Sequence, residues 1–292
     1  MNLIFGANGR IGRRVAAALV ALGDAVRVFV RDVQAAKARF GSSVDIVCGD
    51  LDDADSVNSA MHDVSQVLLC SPVAPKQVEQ QNRVVDAARG AAKPYVVKIS
   101  GFATYPGSFV DSGRWHAETE SYLAQSGLNY TCLHPYFFMQ NLDFQMKQIQ
   151  RSGVLTSGVA EAAIAMVDAR DIAAAAVKLL SDPRLAPRQT LPLTTDQALT
   201  YADMARTMSA VFDWPVRFQA QTLAEVEENL RRAGQADWHI QLLLQFNRAF
   251  EEGYGSQPHP ALADLLGRAP LTFADYLRSF DDTSEGANPF PS

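Results

Sequence analysis

The 292-residue sequence predicts an α/β fold, with a doubly wound parallel sheet followed by a smaller C-terminal α/β unit. Short apolar runs alternate with longer helix-like segments through the first half of the chain, which indicates parallel strands joined by helical crossovers. A glycine-rich turn lies between the first apolar run and the first helix-like segment. The alternation is interrupted after Leu142, so a second unit is expected there.

The first half is expected to supply the strands of the sheet and the helices that connect them. The predicted strands are Leu3–Phe5, Val26–Val30, Val44–Val47, Val67–Cys70, Tyr95–Ile99 and Tyr130–Leu133. The clearest predicted helices are Arg10–Leu22, Val78–Arg89 and Trp115–Ser126, the last of which is followed by Gly127 as a stop signal.

The second half is expected to return once to the sheet and then to form the smaller unit. A short strand at Met166–Asp168 and a helix at Asp171–Leu180 are assigned to the return, and Pro183 and Pro187 mark a break. Strands at Leu191–Thr194 and Val216–Phe218, with a helix from Tyr201 and further helices over 223–251, are assigned to the smaller unit. The predicted domains are residues 1–152 together with 164–182, and residues 183–292.

Composition and charge exclude several classes of protein. The formal net charge is −6, which argues against a nucleic-acid partner, since such proteins present a basic face. No segment reaches the roughly 20 apolar residues of a membrane span. The cysteines Cys48, Cys70 and Cys132 are scattered and are expected to be buried, which favours a reducing cytoplasm over a disulfide scaffold and predicts no metal site.

The glycine-rich turn is the strongest functional signal in the sequence. Residues 3–20 read LIFGANGRIGRRVAAALV, so Gly6, Gly9 and Gly12 lie between a strand and an amphipathic helix. The first glycine permits the tight turn, the second permits close approach of a pyrophosphate, and the third permits close packing of helix on strand. This arrangement predicts a Rossmann dinucleotide-binding domain, with the phosphates at the helix N terminus and Asn8 and Ile11 among the contacts.

The end of the second strand favours NADP(H) over NAD(H). The strand ends in Arg31 and Asp32, and an arginine there suits a 2′-phosphate, whereas an acidic residue would accept both ribose hydroxyls of NAD(H). Arg31 comes first, so NADP(H) is predicted, and Asp32 keeps NAD(H) as the alternative. Arg10 and Lys37 are further candidates for the 2′-phosphate.

The GxxGxxG spacing resembles the extended and atypical short-chain dehydrogenases/reductases. This resemblance implies that Asp50 and Leu51, at the end of the third strand, contact the adenine, although the same acidic segment is typical of a helix N-cap. Ser71, Pro72 and Val73 end the fourth strand and are expected beneath the adenine-side ribose. Pro135, Tyr136 and Phe137 follow the sixth strand and are expected to flank the nicotinamide.

Three later segments resemble one branch, the NmrA-like proteins and the similar bacterial NAD(P)H:quinone oxidoreductases. They are RWHAETESYLAQSGLNYTCLHPYFFMQNL at 114–142, MVDARDIAAAAVKLL at 166–180 and GRAPLTFADYLRSF at 267–280. In the first, His134 stands where the family pattern has arginine. The resemblance covers nearly the whole chain.

The sequence departs from the usual active site of the superfamily, a Tyr-x-x-x-Lys pair with a serine. No tyrosine here is followed by a lysine at that spacing, and the resemblance places His116 at the lysine position. A histidine there could hold ribose hydroxyls and relay a proton. Ser100, in the loop where the fifth strand meets the nicotinamide, and Tyr105, as a substitute acid, are the other catalytic candidates.

Two functions remain open at this stage. Without the tyrosine, ordinary ketone reduction is disfavoured, whereas quinone reduction needs only a weak acid because the hydroquinone anion is delocalised. The leading hypothesis is therefore an NADPH-dependent reductase of quinones or similar flat, apolar acceptors. The alternative is a non-catalytic NADP(H) sensor that signals through a protein partner. The sequence does not determine the oligomeric state.

Overall fold

The computed structural model describes residues 1–280, and a parallel sheet lies at the centre of this part of the chain. The strands in chain order are β1 (Asn2–Phe5), β2 (Val26–Val30), β3 (Asp45–Cys48), β4 (Gln66–Leu69), β5 (Tyr95–Ile99), β6 (Tyr130–Pro135), β7 (Phe137–Phe138), β8 (Val154–Ser157), β9 (Ile164–Val167), β10 (Gln189–Leu193), β11 (Ala198–Leu199) and β12 (Arg217–Ala220).

The helices cover both faces of this sheet and build the smaller unit. In chain order they are α1 (Gly12–Ala21), α2 (Val33–Phe40), α3 (Ala54–Ala60), α4 (Gln77–Gly90), α5 (Asp111–Gln125), α6 (Asp143–Ser152), α7 (Ala169–Ser181), α8 (Tyr201–Phe212), α9 (Leu223–Arg232), α10 (Asp237–Glu251), α11 (Ala261–Leu266) and α12 (Phe273–Arg278), with a 3₁₀ turn at Met139–Leu142.

The central sheet is doubly wound, as the alternating pattern predicts. Its seven strands, counted within residues 1–280, follow the order β10-β6-β5-β4-β1-β2-β3, and every pairing is parallel. The chain runs outward from β1 to β3 and then returns to β4 on the other side of β1. The carboxyl ends of β1 and β4 therefore bound the crevice in which such folds bind nucleotides.

Strand residues alternate between two cores, which explains why the strands read as continuous apolar runs. Ile4 and Val97 face a core built with α1 and α7. Leu3 and Val96 face the opposite core, built with α3, α4 and α5. Because helices cover both faces, side chains at the carboxyl edge of the sheet project from a rigid scaffold whose interior excludes water.

A third core belongs to the smaller unit. It is formed mainly by α6, α8, α10 and α12 with two small sheets, one of β7, β9 and β11 and one of β8 and β12. Met139 and Met146 are fully buried in this core. Phe144, by contrast, is largely exposed.

Two strands pair differently from the sequence-based expectation. The strand expected at Leu191–Thr194 in the smaller unit is β10, which extends the central sheet by pairing with β6 from Gln189↔Thr131 to Leu193↔Pro135. β9 joins β7 and β11 instead of the central sheet, although α7 returns to the sheet as predicted. Local patterns show that a strand exists but not which edge accepts its hydrogen bonds.

The domain boundaries stay a prediction, and residues 281–292 of the second domain lie outside the described chain.

Two acidic residues at the start of α7 have structural partners, and one of them holds the segment at 268–271. The buried carboxylate of Asp171 accepts hydrogen bonds from Arg268 Nη2 and from the amide of Leu271, both at 2.6 Å. Asp168 caps α7 through the amide of Arg170 at 2.7 Å and also pairs with the Arg170 guanidinium. The DARD segment thus has a structural role, because buried carboxylates need such partners.

Cysteine burial corrects one expectation. Cys132 is buried and Cys70 is partly buried, but Cys48 is exposed because it ends the edge strand β3.

Over residues 1–280 no helix is long and apolar enough to cross a membrane. In the same residues no group of three or more His, Cys, Asp or Glu side chains could hold a metal ion.

Gly12→Ala should lower the free energy of unfolding by about 2 kcal/mol, as overpacking typically does. An added Cβ at residue 12 would lie 2.2 Å from the carbonyl oxygen of Gly6, a backbone atom that has no room to shift. Urea denaturation followed by circular dichroism measures the change. Gly90→Ala is the matched control, since a Cβ there meets nothing within 4 Å and should be neutral or stabilising. Equal stability of the two variants would contradict this account of the turn.

Candidate functional site

The glycine turn has the geometry of a phosphate cradle. Gly6 adopts φ +73° and a Cβ there would lie 2.3 Å from the carbonyl oxygen of Cys70, at the end of β4. The amide of Gly9 donates to the Gly6 carbonyl at 2.9 Å, closing the turn. α1 begins at Gly12 with no side-chain cap and no acidic residue in its first turn, so its amides are available to an anion. Within this turn Asn8 is exposed and Ile11 is buried.

The residues after β2 fit a 2′-phosphate better than two free hydroxyls. Asp32 caps α2 by accepting a hydrogen bond from the amide of Ala35 at 2.9 Å, which engages its carboxylate with the helix. Arg31 is exposed at the strand end, and Lys37 is exposed on α2. The competition between Arg31 and Asp32 that the sequence left open therefore favours the arginine.

Arg39 is a functional candidate that the sequence reading missed. Its Nη1 donates to the carbonyl of Asn8 at 3.0 Å, which brings the last turn of α2 against the glycine turn. Arg13 lies nearby, and burial together with the charges of Arg39 and Arg10 lowers its pKa. Arg39 and Arg13 thus add positive charge beside the glycine turn. The sequence shows that Arg39 follows Arg31 by eight positions, but it does not show that the last turn of α2 packs against the glycine turn, and only that packing makes Arg39 a candidate.

Arg10 points to the smaller unit in this structure. Its guanidinium forms an ion pair with Asp143 at the start of α6, and the hydroxyl of Tyr276 in α12 donates to the same carboxylate. Burial and the adjacent Asp143 charge raise the pKa of Tyr276, which keeps its hydroxyl protonated as a donor. Arg10 thus joins the dinucleotide turn to α6 and α12, and this pairing competes with the expected role of Arg10 on a 2′-phosphate.

The other predicted cofactor contacts have local structural roles of their own. Asp50 accepts a hydrogen bond from the amide of Asp52 at 2.9 Å, and Leu51 packs partly buried against the core of α3 and α4. The cap of α3 is Asp53, so the N-cap function belongs to this acidic segment but not to Asp50. Ser71 accepts from Gln81 Nε2 at 2.8 Å, and Pro72 is exposed while Val73 is partly buried against the smaller unit.

A cluster of polar side chains is enclosed between the carboxyl ends of β5 and β6 and the helices α4 and α5. We call it the buried polar cluster, and its members are Gln77, Lys98, Ser100, His116, Glu120 and His134. Lys98 and Ser100 are two apart on β5, so they share a face of the sheet, and His116 and Glu120 are four apart on α5, so they share a face of the helix. These periods bring the side chains together.

Hydrogen bonds connect the cluster into one chain. Lys98 Nζ lies 2.7 Å from Ser100 Oγ and 2.8 Å from His116 Nδ1. The Ser100 hydroxyl donates to Glu120, and His134 Nε2 lies 2.7 Å from the same carboxylate oxygen. A lysine and a glutamate are therefore linked through a single hydroxyl, and a histidine occupies each end of the chain.

The pKa shifts within the cluster indicate which members carry charge. Burial lowers the pKa of Lys98, opposed by Cys132, Glu120 and Cys70. Burial lowers the pKa of His116 well below 6.5, and the charges of Lys98 and His134 lower it further, so the ring is neutral at physiological pH. For Glu120, burial raises the pKa, but the His134 hydrogen bond and charge, with Lys98 and Ser100, outweigh it and lower the pKa overall.

The structure gives the surroundings of the catalytic candidates and adds a lysine to them. His116 is bonded to Lys98 and Gln77. The site does contain a lysine, but Lys98 comes from β5 instead of the helix position occupied by His116, so a search for Tyr-x-x-x-Lys missed it. Tyr105 stacks on Tyr254 with ring centroids 6.2 Å apart, in the loop between β5 and α5.

Aromatic side chains lie beside the loop that follows Ser100. Phe102 stacks on Phe250 at 4.8 Å and meets the edge of Tyr136 at 5.8 Å, and Phe246 completes the group at 6.2 Å from Phe102. Phe137 packs against Phe250 from the β6 side, whereas the neighbouring Pro135 is buried in β6. We call Phe102, Tyr136, Phe137, Phe246 and Phe250 the aromatic wall. It joins the carboxyl edge of the sheet to α10.

With this geometry in place, comparison with known proteins assigns the chain to a family. The model of the NmrA-like family matches residues 2–277. The chain belongs to the NmrA-like family. An NAD(P)H azoreductase of Xenophilus azovorans is 31% identical over 286 residues, covering 96% of this chain and 97% of the relative.

Two further similarities come from Escherichia coli. Quinone oxidoreductase 2 of strain K12 is 26% identical to this NmrA-like protein over 280 residues, covering 94% of this chain and 96% of the relative. A crystal structure of an NADPH-dependent quinone oxidoreductase complexed with NADPH superposes with a TM-score of 0.87 at 24% identity, over 95% of this chain and 98% of the other. This superposition shows the shared fold.

The buried His116 should make the stability of the protein fall as the pH is lowered. Its pKa is well below 6.5 when folded and returns to about 6.5 on unfolding, so below pH 6.5 the unfolded state binds the additional proton. We expect the free energy of unfolding to decrease by up to about 1.4 kcal/mol per pH unit in that window. Urea titrations between pH 7.5 and 5.5 measure this slope.

His116→Gln should flatten the slope, whereas His62→Gln should leave it as in the wild type because His62 is exposed. If His116→Gln retained the full wild-type slope, the titrating group would have to be another residue.

Proposed function

We propose that this protein is an NADPH-dependent reductase of quinones and of similar flat, electron-poor acceptors such as azo compounds. The observation that carries the proposal is that His116, held in the buried polar cluster, turns one ring edge toward the loop at Gly101, beside the aromatic wall. The sequence has no tyrosine that is followed by lysine at the spacing of the ketone-reducing type. The names of the azoreductase and quinone oxidoreductase relatives support the same chemistry.

The residues present fit NADP(H). The turn at Gly6 and Gly12 is packed too tightly for a Cβ, and α1 begins with no side-chain cap, so its first amides are available to a pyrophosphate. Arg31 and Arg39 provide positive charge near the expected 2′-phosphate, while Asp32 is engaged as a helix cap. When bound, the cofactor would supply a hydride to the acceptor. The protein's own contribution is to bind and orient both molecules and to stabilise the negative charge that the acceptor gains.

The aromatic wall supports a flat, apolar substrate. Planar rings stack on aromatic side chains at low entropic cost, and the stacked pair of Phe102 and Phe250 shows that flat groups already pack at this edge. Tyr136 is half-buried, and burial raises its pKa, so it stays a neutral phenol that can donate a hydrogen bond. The protein partner of the sensor hypothesis and the cytoplasmic location stay predictions.

The decisive assay is oxidation of NADPH, followed by absorbance, with and without a panel of quinones and azo dyes. We expect turnover that requires the acceptor, and His116→Ala should reduce kcat by about 100-fold or more, because the variant loses a hydrogen-bond donor to the negative charge that develops on the acceptor. His62→Ala, an exposed histidine, is the control and should retain wild-type kcat. Tight NADP(H) binding without turnover on any acceptor would contradict the reductase and favour the sensor.

Cofactor preference should depend on the arginines beside the glycine turn. Arg31→Ala and Arg39→Ala should each raise KM for NADPH by about tenfold, equivalent to about 1.4 kcal/mol, because each loses a cation facing the 2′-phosphate. KM for NADH should change little. Arg89→Ala, which removes an exposed arginine at the far end of α4, is the control. A parallel rise of KM for both cofactors would show that these arginines act on the fold or on the pyrophosphate instead.

A further inference from the structure

We propose that Lys98 is a positioning residue that fixes the tautomer of His116, so that the ring carries its proton on Nε2 and offers it as a hydrogen-bond donor at the loop edge. This inference rests on the proposed function and assigns the residue that prepares His116 for it. It concerns only side chains of this protein and can be tested without any substrate.

Two donors converge on the inner nitrogen of His116. Lys98 Nζ lies 2.8 Å from Nδ1, and Gln77 Nε2 lies nearer to Nδ1, at 3.0 Å, than to Nε2, at 3.4 Å. An ammonium has three N–H groups and no lone pair, so it can only donate. Nδ1 must therefore be an acceptor, and the single proton of a neutral ring must lie on Nε2.

The ammonium form of Lys98 is balanced by charge within the same enclosure. Lys98 donates to Ser100, and the Ser100 hydroxyl donates to the Glu120 carboxylate, which gives the chain a fixed donor direction. The groups that face Lys98 are Cys70 at the end of β4, Cys132 and His134 on β6, and His116 and Glu120 on α5. Burial raises the pKa of Cys70 to about 11, so this thiol is neutral and Glu120 supplies the compensating charge.

The other edge of His116 faces the place where a ligand would lie. A Cβ at Gly101 would lie 3.4 Å from His116 Nε2 and 3.3 Å from Cδ2, so this edge is directed at the loop after β5. Gly101 leaves that approach free of a side chain. The loop is the same one that carries Phe102 into the aromatic wall.

A neutral histidine with its proton on Nε2 acts differently from a proton relay. It donates a hydrogen bond to a developing negative charge and no proton leaves the ring, since the lowered pKa disfavours the protonated form from which a relay would start. The adjacent ammonium of Lys98 polarises the ring and strengthens this donor. Ser100 is excluded from the same task, because its hydroxyl proton is committed to Glu120.

Gln77 could stabilise the other tautomer of His116, with the proton on Nδ1, if Lys98 were absent. Its Oε1 is buried without a hydrogen-bond partner, while its Nε2 lies beside Nδ1. Rotation of this amide would present Oε1 to the histidine and would stabilise a proton on Nδ1. Removing the ammonium should therefore allow the amide to rotate and the ring to change tautomer.

The test is nitrogen-15 NMR of the histidine rings in the intact protein without substrate, with His116→Gln used to assign the signal. We expect wild-type His116 to be neutral with its proton on Nε2. Lys98→Met should move the proton to Nδ1 and should lower kcat for quinone reduction by about 100-fold, with little change in KM for NADPH. Lys98→Met/Glu120→Gln, which removes both charges, is the second variant if the single variant fails to fold.

Thr119→Val is the matched control, because Thr119 is fully buried on the same helix and its hydroxyl has no partner, so neither tautomer nor kcat should change. A wild-type proton on Nδ1, or an unchanged Nε2 proton after removal of Lys98, would overturn the inference. The tautomer is read without acceptor, so an absence of quinone turnover would count against the proposed function and not against this result.

Discussion

The ammonium of Lys98, enclosed at the carboxyl end of β5, is the constraint around which the site is arranged. A buried charge is tolerated only when it is paired and its hydrogen bonds are satisfied. Glu120 supplies the opposite charge through Ser100, and His116 supplies an acceptor. The contacts of this cation therefore account for the direction of the hydrogen bonds from Lys98 through Ser100 to Glu120 and for the proposed orientation of the His116 proton.

The two cores of the central sheet and the third core of the smaller unit meet along the same carboxyl edge. The Arg10–Asp143–Tyr276 group connects the dinucleotide turn to α6 and α12, and the aromatic wall connects the β5 loop to α10. Ligands that bind at this edge would contact both units, which is the usual position of a site in an open α/β fold. Arg10 therefore connects the glycine turn physically to the packing of the smaller unit.

Prediction from the sequence succeeded where the signal was local. The limits of β2 and β5 match the apolar runs, and the glycine turn is placed as expected between β1 and α1. It failed where partners come from distant parts of the chain. The sequence identified Lys98 only as part of a strand. β10, which completes the seven-stranded central sheet, was expected in the smaller unit because its partner β6 lies more than 50 residues earlier in the chain.

What the sequence determined by itself is the doubly wound fold, the dinucleotide turn and the absence of a tyrosine–lysine pair, because each depends on residue type at fixed spacing along one strand or helix. The tertiary structure decided which charges meet. The partners of Lys98, the contact of Arg39 with Asn8 and the pairing of Arg10 with Asp143 all depend on how separate elements pack. The physical reason is that hydrogen bonds and ion pairs act over a few ångströms, whereas Arg10 and Asp143, for example, are 133 positions apart in the chain.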